Sequence, residues 1–172
     1  VKLNTEPGHQ FMHRMRISGA QAISKIFQAV NEEVAEREKM YPGILQHPGL
    51  LKGYMHFAGE VLMGHLRYGT HGGNTLEQVH PFHRANNWIS RNLLIAGNFN
   101  MTNVDVLFRH LIELGQHPKE RSDTVTVMEN IGHFLDEENE ALYAKFKALG
   151  NSKQEISPLI AEHLDIAQML RR

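Results

Sequence analysis

An α+β fold is what this sequence predicts, and three observations predict it. Short apolar runs with strand-like character lie near residues 11–17, 60–68 and 88–98. Helical periodicity with capping signals occupies 18–40 and most of the chain after residue 102. The elements follow the order strand, helix, strands, helices rather than a regular alternation, which suits layers of segregated sheet and helix. The 172 residues, 41% hydrophobic and 22% charged, suffice for a single domain over 1–172 with its own core.

Taken in order, "FMHRMRI" alternates around Phe11, Met15 and Ile17 as a half-buried strand does. Ser18 followed by Gln21 is a capping-box pattern opening a helix to about Met40. Its apolar face is expected to be Ala22, Ile26, Ala29, Val30 and Val34, with Asn31–Glu33 and Glu38–Lys39 in solvent. "YPGILQHPGLLKG" carries two Pro-Gly pairs and is expected to be a loop. "EVLMGHLRY" and "WISRNLLIAGN" read as strands from their apolar runs. Thr102 is expected to cap a helix closed by Gly115, and Ser122-Asp123 to cap a longer one ending at Gly150, with Gly132 marking a kink or close packing. Ser157-Pro158 is expected to start a last helix reaching Met169.

Charge and composition narrow the function. The formal net charge of −1 and the lack of a basic stripe interleaved with aromatics argue against nucleic acid as a partner. No apolar run approaches the length of a membrane span, so no membrane partner is expected. The absence of cysteine removes disulfides and thiolate metal sites, which suits a cytoplasmic protein.

Chemistry concentrates in "GHLRYGTHGGNTLEQVHPF", residues 64–82. His65, His71, His80 and His83 could be read as metal ligands, but the spacing is weak and no metal is assigned. Arg67, at the end of an expected strand, offers a planar fork suited to a carboxylate, and Gly69, Gly72 and Gly73 let backbone N–H groups approach a ligand. In "LIAGNFNMTN" a strand-to-helix turn can present the Asn98 amide and a backbone N–H at one point, as an oxyanion hole requires. The same asparagines are also ordinary turn formers, and Asp123 at a helix start is also an ordinary N-cap.

Taken together, Gly64–Thr70, Asn98–Asn103 and Ser122–Thr124 resemble, in order and approximate spacing, the strand G-H-x-R-Y-S-T, the turn N-G-N-L-T-N and the segment S-D-[ST] of the class II, N-terminal-nucleophile glutamine amidotransferases. The resemblance covers about Val61 to Leu135 and, more loosely, Leu3 to Ile17. It implies an Ntn-hydrolase-like layered αββα sandwich, here expected to be incomplete, with a helical insertion at about 18–53. It implies that Arg67, Tyr68 and Thr70 bind substrate with Asp123, Arg67 gripping the glutamine α-carboxylate and Asp123 the α-amine. Asn98 and the backbone N–H of Phe99 would form the oxyanion hole.

Met101-Thr102-Asn103, similar to the L-T-N version of the turn, and "EQVHPF" look most like the amidophosphoribosyltransferase branch of purine biosynthesis. A hexosamine-forming relative is the alternative, on Thr70-His71-Gly72. The purine branch implies glutamine and phosphoribosyl pyrophosphate as substrates, the latter held with Mg²⁺ by a domain outside this sequence, and a homo-oligomer. No cofactor is expected in the amidotransferase domain itself. The family's nucleophilic N-terminal cysteine and its H-R-G-Q segment are absent. A fragment of a longer enzyme, inactive alone, is therefore expected, with exposed sheet edges that favour association. Phe99 stands where the family has glycine, Gly97 where it has histidine and Val125 where it has glutamate. If that turn needs a positive φ, Phe99 is strained and the N–H misdirected. The rival reading is a catalytically dead amino-acid-binding or regulatory domain.

Overall fold

The computed structural model describes residues 2–3, 12–59, 61–66 and 76–172, and it is a mixed helix-and-sheet protein. The chain divides into two compact units, Val1–Pro81 and Phe82–Arg172.

In the first unit, β1 (Lys2–Leu3) pairs antiparallel with β2 (Met12–His13), Lys2 opposite His13 and Leu3 opposite Met12. The strand expected over 11–17 is thus short. Beyond it the backbone runs on past Arg14 and Arg16, which reach to carbonyls instead of a third strand. The guanidinium of Arg14 donates to Pro81 O at 3.0 Å, and that of Arg16 donates to Glu77 O at 2.9 Å. Burial, and next the neighbouring charge of Arg16, lower the Arg14 pKa from its ordinary value.

Helix α1 (Ala22–Met40) begins a turn later than expected. Ser18 is exposed outside it, Gly19 turns the chain at φ +93°, and Gln21 takes the N-cap position without a side-chain cap. The Ser18–Gln21 box therefore does not form. The expected apolar face is half-buried, while Phe27 is 64% exposed.

The expected loop at 41–53 instead holds a 3₁₀ turn, Ile44–Gln46, and helix α2, Pro48–Tyr54. Its Pro-Gly pairs start structure rather than break it. Pro48 sits in the first helical turn, where a missing N–H costs nothing, and Gly43 supplies φ +86° ahead of the 3₁₀ turn. Among the described residues of this unit, Ile44 and Met55 are the buried apolar ones. Two glutamates of α1 hold the returning chain, Glu38 accepting the Gly43 N–H at 2.7 Å and Glu33 the His56 N–H at 2.8 Å.

No strand forms over 61–66, where "EVLMGHLRY" suggested one; Leu62 and Leu66 are 68% and 76% exposed. An apolar run becomes a strand only beside a ladder partner, and among the described residues none lies there.

The second unit opens with β3 (Phe82–Arg84), a strand the sequence did not announce. It pairs antiparallel with β4 (Leu93–Ile95), Phe82 opposite Ile95 and Arg84 opposite Leu93. The strand expected over 88–98 is therefore confined to its middle. Ile89–Arg91 form a 3₁₀ turn, and the Asn92 amide closes the connection by donating to Asn86 O and Trp88 O at 2.9 and 2.8 Å.

Three helices and a final turn complete the unit: α3 (Val104–Glu113), α4 (Asp123–Ala148), α5 (Lys153–His163) and α6 (Ile166–Met169). The N-cap position of α3 is Asn103 rather than Thr102, with no side-chain bond. Gly115 and Gly150 close α3 and α4 as expected, at φ +79° and +88°, because a left-handed residue lets the last carbonyls be capped.

Helix α5 starts at Ser152, not at Ser157-Pro158. Ser152 and Glu155 form a reciprocal capping box that outcompetes the later signal, and Pro158 lies inside the helix. The chain then bends at Leu164–Asp165 before α6, whose Gln168 N–H is capped by Asp165 at 2.9 Å.

Helix α4 organises this unit. Val125 and Met128 pack on Phe82, Leu93 and Ile95. Farther along, Phe146 packs with Ile156 and Ile160 of α5 and with Trp88. Between the two clusters Gly132 lets Arg84 lie against the helix backbone, the close approach its position suggested. Arg84 then bonds Glu129 at 3.2 Å and Asp136 at 2.5 and 3.3 Å. Burial opposes its charge, but Asp136 and Glu129 outweigh that and raise its pKa. Fully buried Asn139 meets the Ser90 hydroxyl and donates to Leu135 O at 2.7 Å. Among the described residues no helix is long and apolar enough to cross a membrane.

Candidate functional site

The three segments singled out in the sequence fare differently. Arg67, Tyr68 and Thr70 lie outside the described residues, as does His71. Asn98, Phe99 and Asp123 are described, and all three belong to the second unit.

Strand β4 ends at Ile95, and residues 96–103 lead to α3 without regular structure. Asn98 is exposed and Phe99 half-buried. Phe99 does not occupy the positive-φ region, since Gln21 is the only non-glycine residue there among those described. The strain expected from replacing glycine at 99 is therefore absent. A Cβ built on Gly97 would lie 2.5 Å from Phe99 Cζ and 2.7 Å from Cε2. The Phe99 ring thus lies where a side chain at 97 would begin.

Ser122 is the true N-cap of α4, its hydroxyl accepting the Val125 N–H at 3.3 Å. Asp123 is the first helical residue and does not cap. Its Oδ2 instead accepts the backbone N–H of Met101 at 2.9 Å, across 22 residues of sequence. The carboxylate also sits where the helix N-terminus favours negative charge. Among the described residues Met101 N–H is its one donor, and the Phe99 N–H donates to no acceptor. One contact thus fastens the asparagine turn to the helix start. The result is an exposed primary amide, an uncommitted backbone N–H and a half-buried carboxylate on one tethered segment. Such a set can donate to an oxygen anion and accept from an ammonium group.

The role of Met101 was hidden from the sequence because it uses a main-chain N–H, which every non-proline residue carries.

Of the four histidines the sequence singled out, His65, His80 and His83 are among the described residues. His65 and His80 pack ring to ring at 4.7 Å, with His80 buried. Among the described residues no cluster of three or more histidine or acidic side chains could hold a metal ion.

Comparison of the chain with family models, curated proteins and solved structures finds no match.

Proposed function

We propose that this chain carries a glutamine-binding site of the class II amidotransferase type. The observation that supports this best is the Met101 N–H to Asp123 bond, which joins two of the three motifs 22 residues apart. In this reading Asp123 accepts the α-ammonium of glutamine. The Asn98 amide and the Phe99 N–H stabilise the oxyanion formed when the side-chain amide is attacked.

The chain has no cysteine. Hydrolysis in this reading therefore uses a thiol supplied from outside these 172 residues. The layered αββα sandwich, transfer of the released ammonia to phosphoribosyl pyrophosphate for purine synthesis, a cytoplasmic location and a homo-oligomeric assembly all belong to the same proposal.

A second reading, an amino-acid-binding or regulatory domain without chemistry, is favoured by the missing thiol and by the Phe99 ring lodged in the turn. Both readings require an amino-acid site. Glutamine titrated calorimetrically into the chain is expected to bind, and Asp123→Asn to weaken it about tenfold or more, the scale of a hydrogen bond to a charged group. Unchanged affinity in Asp123→Asn removes the site. Ammonia release by a polypeptide that joins this chain to a thiol nucleophile separates the amidotransferase from the silent binding domain.

A further inference from the structure

We infer that Phe99 is a positioning residue whose ring, seated on Gly97, latches the 97–101 turn so that Met101 reaches Asp123. Three observations carry this. The ring fills the space over Gly97, with Cζ, Cε2 and Cε1 at 2.5, 2.7 and 3.1 Å from where a Cβ would stand. The segment from 96 to 101 belongs to no strand pair among the described residues. Two residues past the ring, the Met101 N–H is committed to Asp123 at 2.9 Å, while Asn98, between the two packed residues, is left exposed.

A glycine at 97 gives the aromatic face flat access to main chain, and a phenylalanine at 99 replaces backbone freedom with buried ring area. The pair converts a floppy glycine-containing turn into a fixed one. Residue 99 then sets how the Asn98 amide and the Asp123 carboxylate are presented, although its own side chain reacts with nothing. The bearing on glutamine rests on the amidotransferase reading; the latch itself does not.

The test uses amide hydrogen exchange and ring chemical shifts, measured by NMR on the full chain. Gly97→Ala drives a methyl into the ring. The Phe99 ring resonances are expected to move, and Met101 amide protection to fall about tenfold, as for one hydrogen bond to a charged acceptor. Protection at Val125, inside α4, should hold. Phe99→Ala, which adds no bulk, is expected to lower Met101 protection in the same way, and Phe99→Tyr, which keeps the ring, to retain it. Met101 protection unchanged in Phe99→Ala, or lost equally in Phe99→Tyr, overturns the latch. Glutamine binding to the same samples is expected to weaken in parallel with the loss of Met101 protection. If the unaltered chain takes no glutamine, the amidotransferase reading falls while the exchange result still decides the latch.

Discussion

Replacing Gly132 by alanine inverts a common rule, and the inversion can be measured. In a helix interior alanine is favoured over glycine by about 1 kcal/mol. Gly132 lies in the middle of α4, yet its Cβ would stand 2.6 Å from Arg84 Nε, 2.8 Å from Cδ and 2.9 Å from Cζ. The guanidinium cannot slide aside freely, because Glu129 holds it at 3.2 Å and Asp136 at 2.5 Å. Hydrogen bonds to charged groups contribute about 1.5–3 kcal/mol each, and the low end applies to carboxylates about a quarter exposed and partly screened. A methyl at 132 that breaks one of these contacts therefore costs about 2 kcal/mol against the gain of about 1 kcal/mol in propensity. Gly132→Ala is expected to destabilise by about 1 kcal/mol, whereas in an Arg84→Ala background the same change should stabilise by about 1 kcal/mol. Urea unfolding followed by the single tryptophan suits the four proteins, because Trp88 packs edge-on against Tyr143 of α4 at 5.8 Å. If Gly132→Ala raises the midpoint in both backgrounds, the proposed wedge between strand β3 and helix α4 is wrong.

Two further outcomes are expected. Ile160, 1% exposed within the Phe146–Ile156 cluster, should lose about 2–5 kcal/mol on truncation to alanine, read from the same fluorescence midpoint; a change under about 1 kcal/mol refutes that packing. Glu155 is held below the ordinary carboxylate range by hydrogen bonds first from the Ser152 hydroxyl and then from its backbone N–H. Its contribution to α5 is complete above its unfolded value near ~4.3 and is lost as pH falls through the lower folded value. The first turn of α5 should therefore fray at acid pH before α4 does. Amide exchange at Ile156 across a pH series checks this, and an identical pH response in Glu155→Gln refutes it.

Local signals read from residues alone met mixed outcomes: the Ser18–Gln21 box, the Thr102 cap and the Ser157-Pro158 start did not form. Ser122, Gly115 and Gly150 marked helix ends correctly because capping depends on neighbours within one turn. Gly132 stood out as a kink or a packing point, and the structure shows the packing, against Arg84, which the sequence could not name. Other failures came where distant partners decide. "EVLMGHLRY" has strand composition and gains no ladder over 61–66, while Phe82–Arg84, hidden in a histidine-rich stretch, becomes β3 because Leu93–Ile95 lies alongside. Pro48 and Pro158, two prolines of similar appearance, start one helix and sit inside another, since the Ser152–Glu155 box fixes the latter from upstream. At the site, Asn98 and Asp123 stood out as types, but the hydrogen bond linking their segments runs from the main chain of Met101.

By itself the sequence determined the mixed helix-and-sheet class and the helix ends marked by Ser122, Gly115 and Gly150. These are properties of composition and of spacing within a few residues. Only the tertiary structure decided which apolar runs became strands, which space the Phe99 ring fills and which group the Asp123 carboxylate accepts. Each of those depends on atoms brought together across tens of residues, where burial and a satisfied hydrogen bond outweigh local preference.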